Sequence, residues 1–295
     1  MQQLSTQTIR VPEEAVNLQT YRLPEVASHY ATLNYLTPCE QLLFRTYIKP
    51  GMTVLDLGVG GGRTTPYLAK VASYYVGVDY SEAMIRACRR KFSDLEFLQA
   101  DASDLSTFED ASFDAIVFSF NGLDSVVPNE KRSRCLRECW RVLRPAGVFV
   151  FSSHNPRSVL VRADWDRGRL RAFARRLVSQ KNVGFPLVVG MLTVAKATQA
   201  FLSAAAGATL KVIRRFPSPA FWRGEGDLYD SSHGGLIIHC SIPDRIVAEL
   251  AELDFQLVRS IGDDYPRVSH SFLTDWYYYV FYKSDNHLIG RESCA

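Results

Sequence analysis

The run Val54-Leu55-Asp56-Leu57-Gly58-Val59-Gly60-Gly61-Gly62-Arg63-Thr64 decides how this chain folds. Thr53–Leu57 is short and apolar, which predicts a strand with a carboxylate near its end. A glycine-rich turn follows, and residues from Thr64 to Ala72 read as a helix. Glycines at alternate positions let the backbone bend tightly. They also let a ligand approach main-chain N–H groups with no Cβ in the way. Alternate glycines behind a strand-end carboxylate therefore point to a ligand-binding loop rather than a bare turn.

Working outward, strand and helix signals alternate. Tyr75–Val78 is a second strand, and Ser81 is placed to cap a helix running to Lys91, with Glu82 in its first turn. Leu95–Leu98 and Phe113–Ser119 follow as strands. Asn129–Leu143 is an amphipathic helix between Pro128 and the Arg144-Pro145-Ala146-Gly147 turn, and Gly147–Ser152 is a fifth strand. The pattern breaks at His154 and resumes near residue 236. A helix then starts at Ser241-Ile242-Pro243-Asp244, and strands follow at Phe255–Ile261 and Trp276–Tyr282. Strands and helices at this spacing build βαβ units, hence a mostly parallel sheet covered on both faces. The expected organisation is an N-terminal helical extension (1–50), a core (51–153 and 236–283), an insertion (154–235) and a tail (284–295).

The loop's ligand is constrained by spacing. A dinucleotide fingerprint G-x-G-x-x-G starting at Gly58 needs Gly or Ala where Arg63 stands, and one starting at Gly60 meets Thr65. Asp56, Gly58, Gly60 and Gly62 instead resemble the D-x-G-x-G-x-G motif of class I S-adenosylmethionine-dependent methyltransferases. Leu143-Arg144-Pro145-Ala146-Gly147 is similar to that family's turn before the fifth strand, with Ala146 replacing one glycine. The resemblance covers about residues 25–153 and 236–283. It implies a doubly wound, mostly parallel seven-stranded sheet with a helical lid after the fifth strand. It also implies S-adenosyl-L-methionine as cofactor. The glycine loop would bend around the methionine and ribose portions, with Asp56 near the amino-acid part. Asp79, 23 residues after Asp56, ends the second strand where a carboxylate can accept from both ribose hydroxyls. Asp101 resembles the residue that takes the adenine amino group. Tyr80, Ala102 and Ser119 at these strand ends, and Tyr30 in the N-terminal extension, complete the expected cofactor contacts.

The methyl group of a sulfonium is already electrophilic, so the protein's tasks are alignment and exclusion of water. A base is needed only where the acceptor must lose a proton. His154, directly after a strand, is the candidate base. Asn121 and Asp124 are candidates to orient substrate or face the sulfonium. The fourth strand end lacks the Asn-Pro-Pro-aromatic motif of nucleic-acid amino methyltransferases, which argues against base methylation of DNA. His233 and His239 would share a face of a strand, and a substrate-contact or structural role suits them better than a metal pair. The aromatics Trp276 to Tyr282 read as core of a terminal strand.

Composition fits a globular chain of 295 residues: 47% hydrophobic and 22% charged residues exclude a disordered or fibrous class. The net charge of +3 hides an asymmetry. Residues 157–215 hold twelve Lys or Arg against two acids, a local +10, and the rest carries 22 basic and 29 acidic residues, a net −7. The apolar stretch Val183–Leu210 is broken by Pro186 and Lys196. Thr193, Lys196, Gln199 and Ser203 stripe it, so it suits a membrane surface better than a membrane span. The insertion thus suits a small-molecule acceptor that is amphiphilic or phosphate-bearing, contact with an anionic membrane, or a homodimer interface; the apolar helix argues against a nucleic-acid arm. Dispersed cysteines without C-x-x-C and a polar N-terminus place the chain in the cytoplasm. Two alternatives share the sheet: an NAD(P)-dependent oxidoreductase, and a non-catalytic cofactor-binding or membrane-docking protein.

Overall fold

The chain enters through three helices, α1 (Glu13–Arg22), α2 (Pro24–Thr32) and α3 (Pro38–Tyr47), the last begun by a complete capping box between Thr37 and Glu40. Then β1 (Thr53–Leu57), α4 (Thr65–Val71), β2 (Tyr74–Asp79), α5 (Glu82–Lys91), β3 (Glu96–Gln99), β4 (Phe113–Phe118), α6 (Asn129–Val142) and β5 (Leu143–His154) follow in order. The chain closes with β6 (Glu225–Asp230), β7 (Leu236–Ser241), α7 (Pro243–Ala251), β8 (Phe255–Gly262) and β9 (Trp276–Lys283). This computed structural model describes residues 13–156, 194, 198, 220, 223–230, 235–263, 265–266 and 274–284.

Seven strands form one sheet in the order β3-β2-β1-β4-β5-β9-β8. The first five are parallel, and β9 is antiparallel to both β5 and β8. The sheet is doubly wound, as expected. Side chains alternate across it: Leu55 and Leu57 pack toward Leu136, Cys139 and Leu250 on one face, and Val54 packs toward Leu43, Leu68 and Ile85 on the other. The winding reverses between β1 and β4, so a crevice opens beyond their carboxyl ends.

Three details differ from the expectation. β5 starts at Leu143 rather than Gly147, with a register shift opposite Phe113/Ala115 that absorbs the Arg-Pro-Ala-Gly turn. Ala146 there has φ +57°, which explains why glycine is the easier residue at this turn. The Ser81 hydroxyl does not cap α5; it donates to the Tyr21 carbonyl of α1 at 2.9 Å, a longer-range use of the same group. Finally, β7 pairs only with β6, in a separate two-stranded sheet, so the core sheet resumes at β8.

The basic segment (apart from residues 194 and 198), the rest of the apolar stretch 183–210, His233 and residues 285–295 of the tail lie outside the described residues; of the expected lid 154–235, residues 154–156, 194, 198, 220, 223–230 and 235 are described, and β6 falls within it. Among the described residues no helix is long and apolar enough to cross a membrane. Cys39, Cys88, Cys135, Cys139 and Cys240 are buried thiols that form no disulfide among the described residues.

Candidate active site

The switch-point crevice is a cleft of about 1070 Å³, counting its open mouth, a size that admits a nucleoside-sized cofactor and part of a second molecule. Its floor is the glycine loop. Gly58 and Gly60 adopt φ +63° and +55°, the left-handed region that the tight turn requires, and both line the cleft. Gly62 is not among the residues that line it. At φ +79° it turns the loop into α4, and a Cβ there would meet the Phe92 ring at 2.6 Å. Gly61 reaches the cleft wall instead. A Cβ on Gly61 would lie 2.4 Å from the backbone of Tyr30 and Ala31, because the end of α2 rests on the loop. Gly61→Ala is expected to displace α2 and lower stability by ~1–2 kcal/mol. Thermal unfolding checks this; an unchanged midpoint would show that α2 does not bear on the loop.

Three carboxylates face this floor. Asp56, 1% exposed, accepts the Thr64 hydroxyl at 2.7 Å and the Tyr75 hydroxyl at 2.8 Å, both on Oδ2, so it braces the exit of the loop from the cleft wall. Asp79 Oδ2 accepts the Gly60 N–H at 2.9 Å and its Oδ1 the Ser81 N–H at 2.8 Å. Burial pushes both carboxyls up to about 6 against these hydrogen bonds. Asp101 is half-buried. Burial acts to raise its pKa, but the Lys131 ammonium at 2.7 Å and the Ser103 N–H and hydroxyl outweigh it and hold the group below the ordinary aspartate range. Tyr80, Ala102, Ser119 and Tyr30 also line the cleft.

Behind the floor lies an ion pair that was not identified from sequence. Arg63 reaches Glu40 of α3 in a two-pronged contact, Nη1–Oε2 2.7 Å and Nη2–Oε1 2.6 Å, with both side chains buried. Its guanidinium also donates to the Tyr35 carbonyl at 2.9 Å and lies over the Phe120 ring at 4.6 Å. Ser119 donates to Glu40, so the β4 end, the loop and α3 are locked together. Burial acts to raise Glu40, yet Arg63, Ser119 and the Thr37 N–H prevail and lower it. Arg63 in place of a fingerprint glycine was the only available signal.

The roof comes from α1. Asn17 bonds both backbone groups of Ile237 in β7, at 2.7 and 2.8 Å, and donates to the Ser125 carbonyl at 3.0 Å. Thr20 donates to the Gly235 carbonyl at 2.7 Å. The Tyr21 ring meets the edges of Tyr30 and Tyr80, giving the cleft an aromatic side.

At the far end, the structure redefines the three acceptor-side candidates. Asp124 is fully buried and faces neither cleft nor cofactor, correcting its expected role. It accepts the Ser153 hydroxyl at 2.7 Å, the His154 N–H at 2.6 Å and His154 Nδ1 at 2.7 Å. Asn121 points its amide nitrogen at His154 Nε2, 3.2 Å away, rather than into the cleft. Its neighbours Phe120 and Gly122 line the wall. His154 ends β5 beside Trp276, with its side chain 16% exposed. His239 pairs with Asp227 at 2.8 Å in the hairpin, a structural contact. Among the described residues no group of three His, Cys, Asp or Glu is placed to hold a metal ion.

A doubly wound sheet of this strand order, with a glycine loop and a strand-end carboxylate at its switch point, is the fold of class I S-adenosylmethionine-dependent methyltransferase domains. Residues 55–151 match the family model described as a methyltransferase domain. The chain is 34% identical over 145 residues to a fatty-acid O-methyltransferase of Mycolicibacterium smegmatis, covering 48% of this chain and 50% of that protein. It is 40% identical over 120 residues to a demethylmenaquinone methyltransferase of Clavibacter sepedonicus, covering 39% and 47%. The chain thus spans about half the length of the curated relatives it matches. In fold it is similar to the CcbJ methyltransferase of Streptomyces caelestis, with a TM-score of 0.55 at 16% identity over 90% of this chain and 98% of that one. It is also similar to the 1,6-didemethyltoxoflavin-N1-methyltransferase of Burkholderia thailandensis, solved with S-adenosylhomocysteine, with a TM-score of 0.53 at 15% identity over 96% and 99%.

Proposed function

We propose that this chain transfers a methyl group from S-adenosylmethionine to an oxygen or nitrogen of a small, amphiphilic acceptor. The observation that carries the reading is Asp79. A carboxylate has about four acceptor sites. The Gly60 and Ser81 N–H groups use one on each oxygen, and the second pair is left at the cleft wall, the arrangement two adjacent ribose hydroxyls need. Tyr30 stands over Gly60, 3.5 Å from its ring to a Cβ built there, an ordinary contact, so it is the φ of +55° that calls for glycine at this point of the loop. When bound, the cofactor supplies an electrophilic methyl carbon on sulfonium sulfur. The chain's own residues orient it: Asp79 at the ribose, Asp101 and Ala102 at the adenine, and the Ser119 end of β4 with Asp56 toward the amino-acid part. His154 is the base where the acceptor must lose a proton. Residues 154–235 supply the acceptor's lid in this reading, and a cytoplasmic setting goes with it. The curated relatives' names, a fatty-acid and a menaquinone methyltransferase, support an apolar acceptor.

Calorimetric titration with S-adenosylhomocysteine and with NAD tests this. Binding of NAD alone would replace the reading with an oxidoreductase. Asp79→Ala is expected to weaken S-adenosylhomocysteine binding by roughly 1–3 kcal/mol, and unchanged affinity would remove the ribose assignment.

The same residue predicts pH behaviour. Asp79 and Asp56 titrate near 6 in the fold, above their ordinary value of 3.8. Between those values the folded state binds more protons than the unfolded, so these two groups favour folding increasingly as pH falls from 6 toward 4. Cofactor affinity moves the other way, because a protonated Asp79 loses acceptor sites. Affinity measured from pH 8 to 5 should fall below about 6 as Asp79 of the free protein becomes protonated, with binding there releasing a proton, and a flat profile would contradict the assignment.

A further inference from the structure

We propose that Asp124 and Asn121 are positioning residues that hold His154 as the Nδ1–H tautomer, with the Nε2 lone pair kept by the Asn121 amide until an acceptor hydroxyl displaces it, and that this site therefore methylates a hydroxyl oxygen. This deepens the methyltransferase reading and rests on it.

Asp124 has no exposed surface, yet its carboxylate collects three hydrogen bonds, two of them from His154 itself. A buried carboxylate against Nδ1 keeps the proton on that nitrogen and leaves the lone pair on Nε2, where the Asn121 amide meets it. The backbone N–H bond to the same carboxylate sets the ring relative to β5, so both position and tautomer are fixed by one group.

Asn121 is held in place by strain. Phe120 and Asn121 are consecutive non-glycine residues with φ +58° and +62°, a conformation retained only where surrounding structure enforces it. Here the Asn121 N–H bonds the Ser152 hydroxyl at 2.7 Å, and the side-chain amide is brought to Nε2. The amide oxygen is buried and has no hydrogen-bond partner. A lone buried acceptor is costly. It acquires a partner once Nε2 is protonated, because a half-turn of the amide exchanges Nδ2 for Oδ1 and lets Nε2–H donate to it. The pair therefore accommodates His154 in both states: Nδ2 donates to the free base, and Oδ1 accepts from the imidazolium. The Phe120 ring, which lines the cleft, packs edge-on against Trp276 beside the imidazole, with centroids 6.0 Å apart.

A carboxylate acceptor is ionised at neutral pH and gains nothing from such a base, whereas a hydroxyl must give up its proton as it attacks. The acceptor oxygen gains the methyl carbon while its proton passes to Nε2. The electron pair of the broken carbon–sulfur bond stays on sulfur, and the imidazolium later releases its proton to solvent.

The test uses the full chain labelled with ¹⁵N-histidine, saturated with S-adenosylhomocysteine, and long-range ¹⁵N–¹H spectra that distinguish the two tautomers. The His154 signal is assigned by its loss in His154→Gln. Neutral His154 is expected as the Nδ1–H form, and Asp124→Asn is expected to shift it toward Nε2–H. An Nε2–H form in the unaltered chain overturns the proposal, and this readout stands even if Asp124→Asn does not fold. Failure of S-adenosylhomocysteine to bind would instead refute the underlying methyltransferase reading. For the acceptor class, methyl-labelled S-adenosylmethionine is supplied with 1-hexadecanol, 4-octylphenol or palmitic acid. Label in a hydroxyl probe at tenfold or more over the acid is expected. Label in the acid alone, or in none, overturns the hydroxyl assignment.

Discussion

Glu40→Ala is expected to destabilise the protein by about 3–5 kcal/mol, the largest effect of any single change considered. The carboxylate is fully buried and its partner Arg63 is 6% exposed, so truncation leaves a guanidinium in the interior with the Tyr35 carbonyl, a long contact to the Ser119 hydroxyl and ring faces, and no counter-charge in the pair's place. The loss reflects the stranded charge rather than the worth of the pair. A double variant, Glu40→Leu with Arg63→Met, should therefore unfold at lower urea than the parent but at higher urea than Glu40→Ala. Equal midpoints for the single and double variants would show that Arg63 finds water or another partner. Because Glu40 is held below the ordinary glutamate range, its contribution to stability is complete above that range and disappears only as acid protonates it in the fold. The glycine loop is attached to α3 through this pair, so Glu40→Ala should weaken cofactor binding as well.

His154→Ala is expected to lower turnover about a hundredfold, roughly 2.7 kcal/mol in the barrier. Affinity for S-adenosylhomocysteine should be nearly unchanged, since the imidazole is not part of the cofactor cleft wall. That split separates it from Asp79, whose removal acts on binding. The measurement is incorporation of labelled methyl from S-adenosylmethionine into whichever fraction of a metabolite extract the parent chain methylates. Near-normal incorporation with His154→Ala would leave the imidazole as a brace for Asp124 and Ser153, and the hydrogen bonds around it would be structural alone.

The sheet was legible because its signals are local. Apolar runs of strand length, amphipathic helices and punctuating Gly or Pro repeat at spacings that a single βα unit imposes, and the switch point follows from how many units wind each way. Asp56, Gly58, Gly60, Asp79 and Asp101 were legible for the same reason, since each sits at a fixed offset from the end of its own strand. Gly62 belongs to the same motif, but a turn glycine and a ligand contact look alike in sequence. Only the environment of its absent Cβ, here Phe92, separates a turn from a contact.

Other features depended on elements far apart in the chain. Glu40 meets Arg63 across 23 residues, Asp124 meets His154 across 30, and Asn17 meets Ile237 across 220. No periodicity marks such partners, because a hydrogen bond depends on where two side chains point once their elements are packed. Asp124 shows the consequence. Its position after β4 is consistent with facing the acceptor, but the left-handed turn at Phe120 and Asn121 sends its carboxylate back under His154. The sequence by itself determined the sheet, the glycine loop and the class of cofactor, all products of short-range spacing. The tertiary structure alone decided which carboxylates line the cleft and which one lies beneath His154, because that choice is made by packing between distant elements.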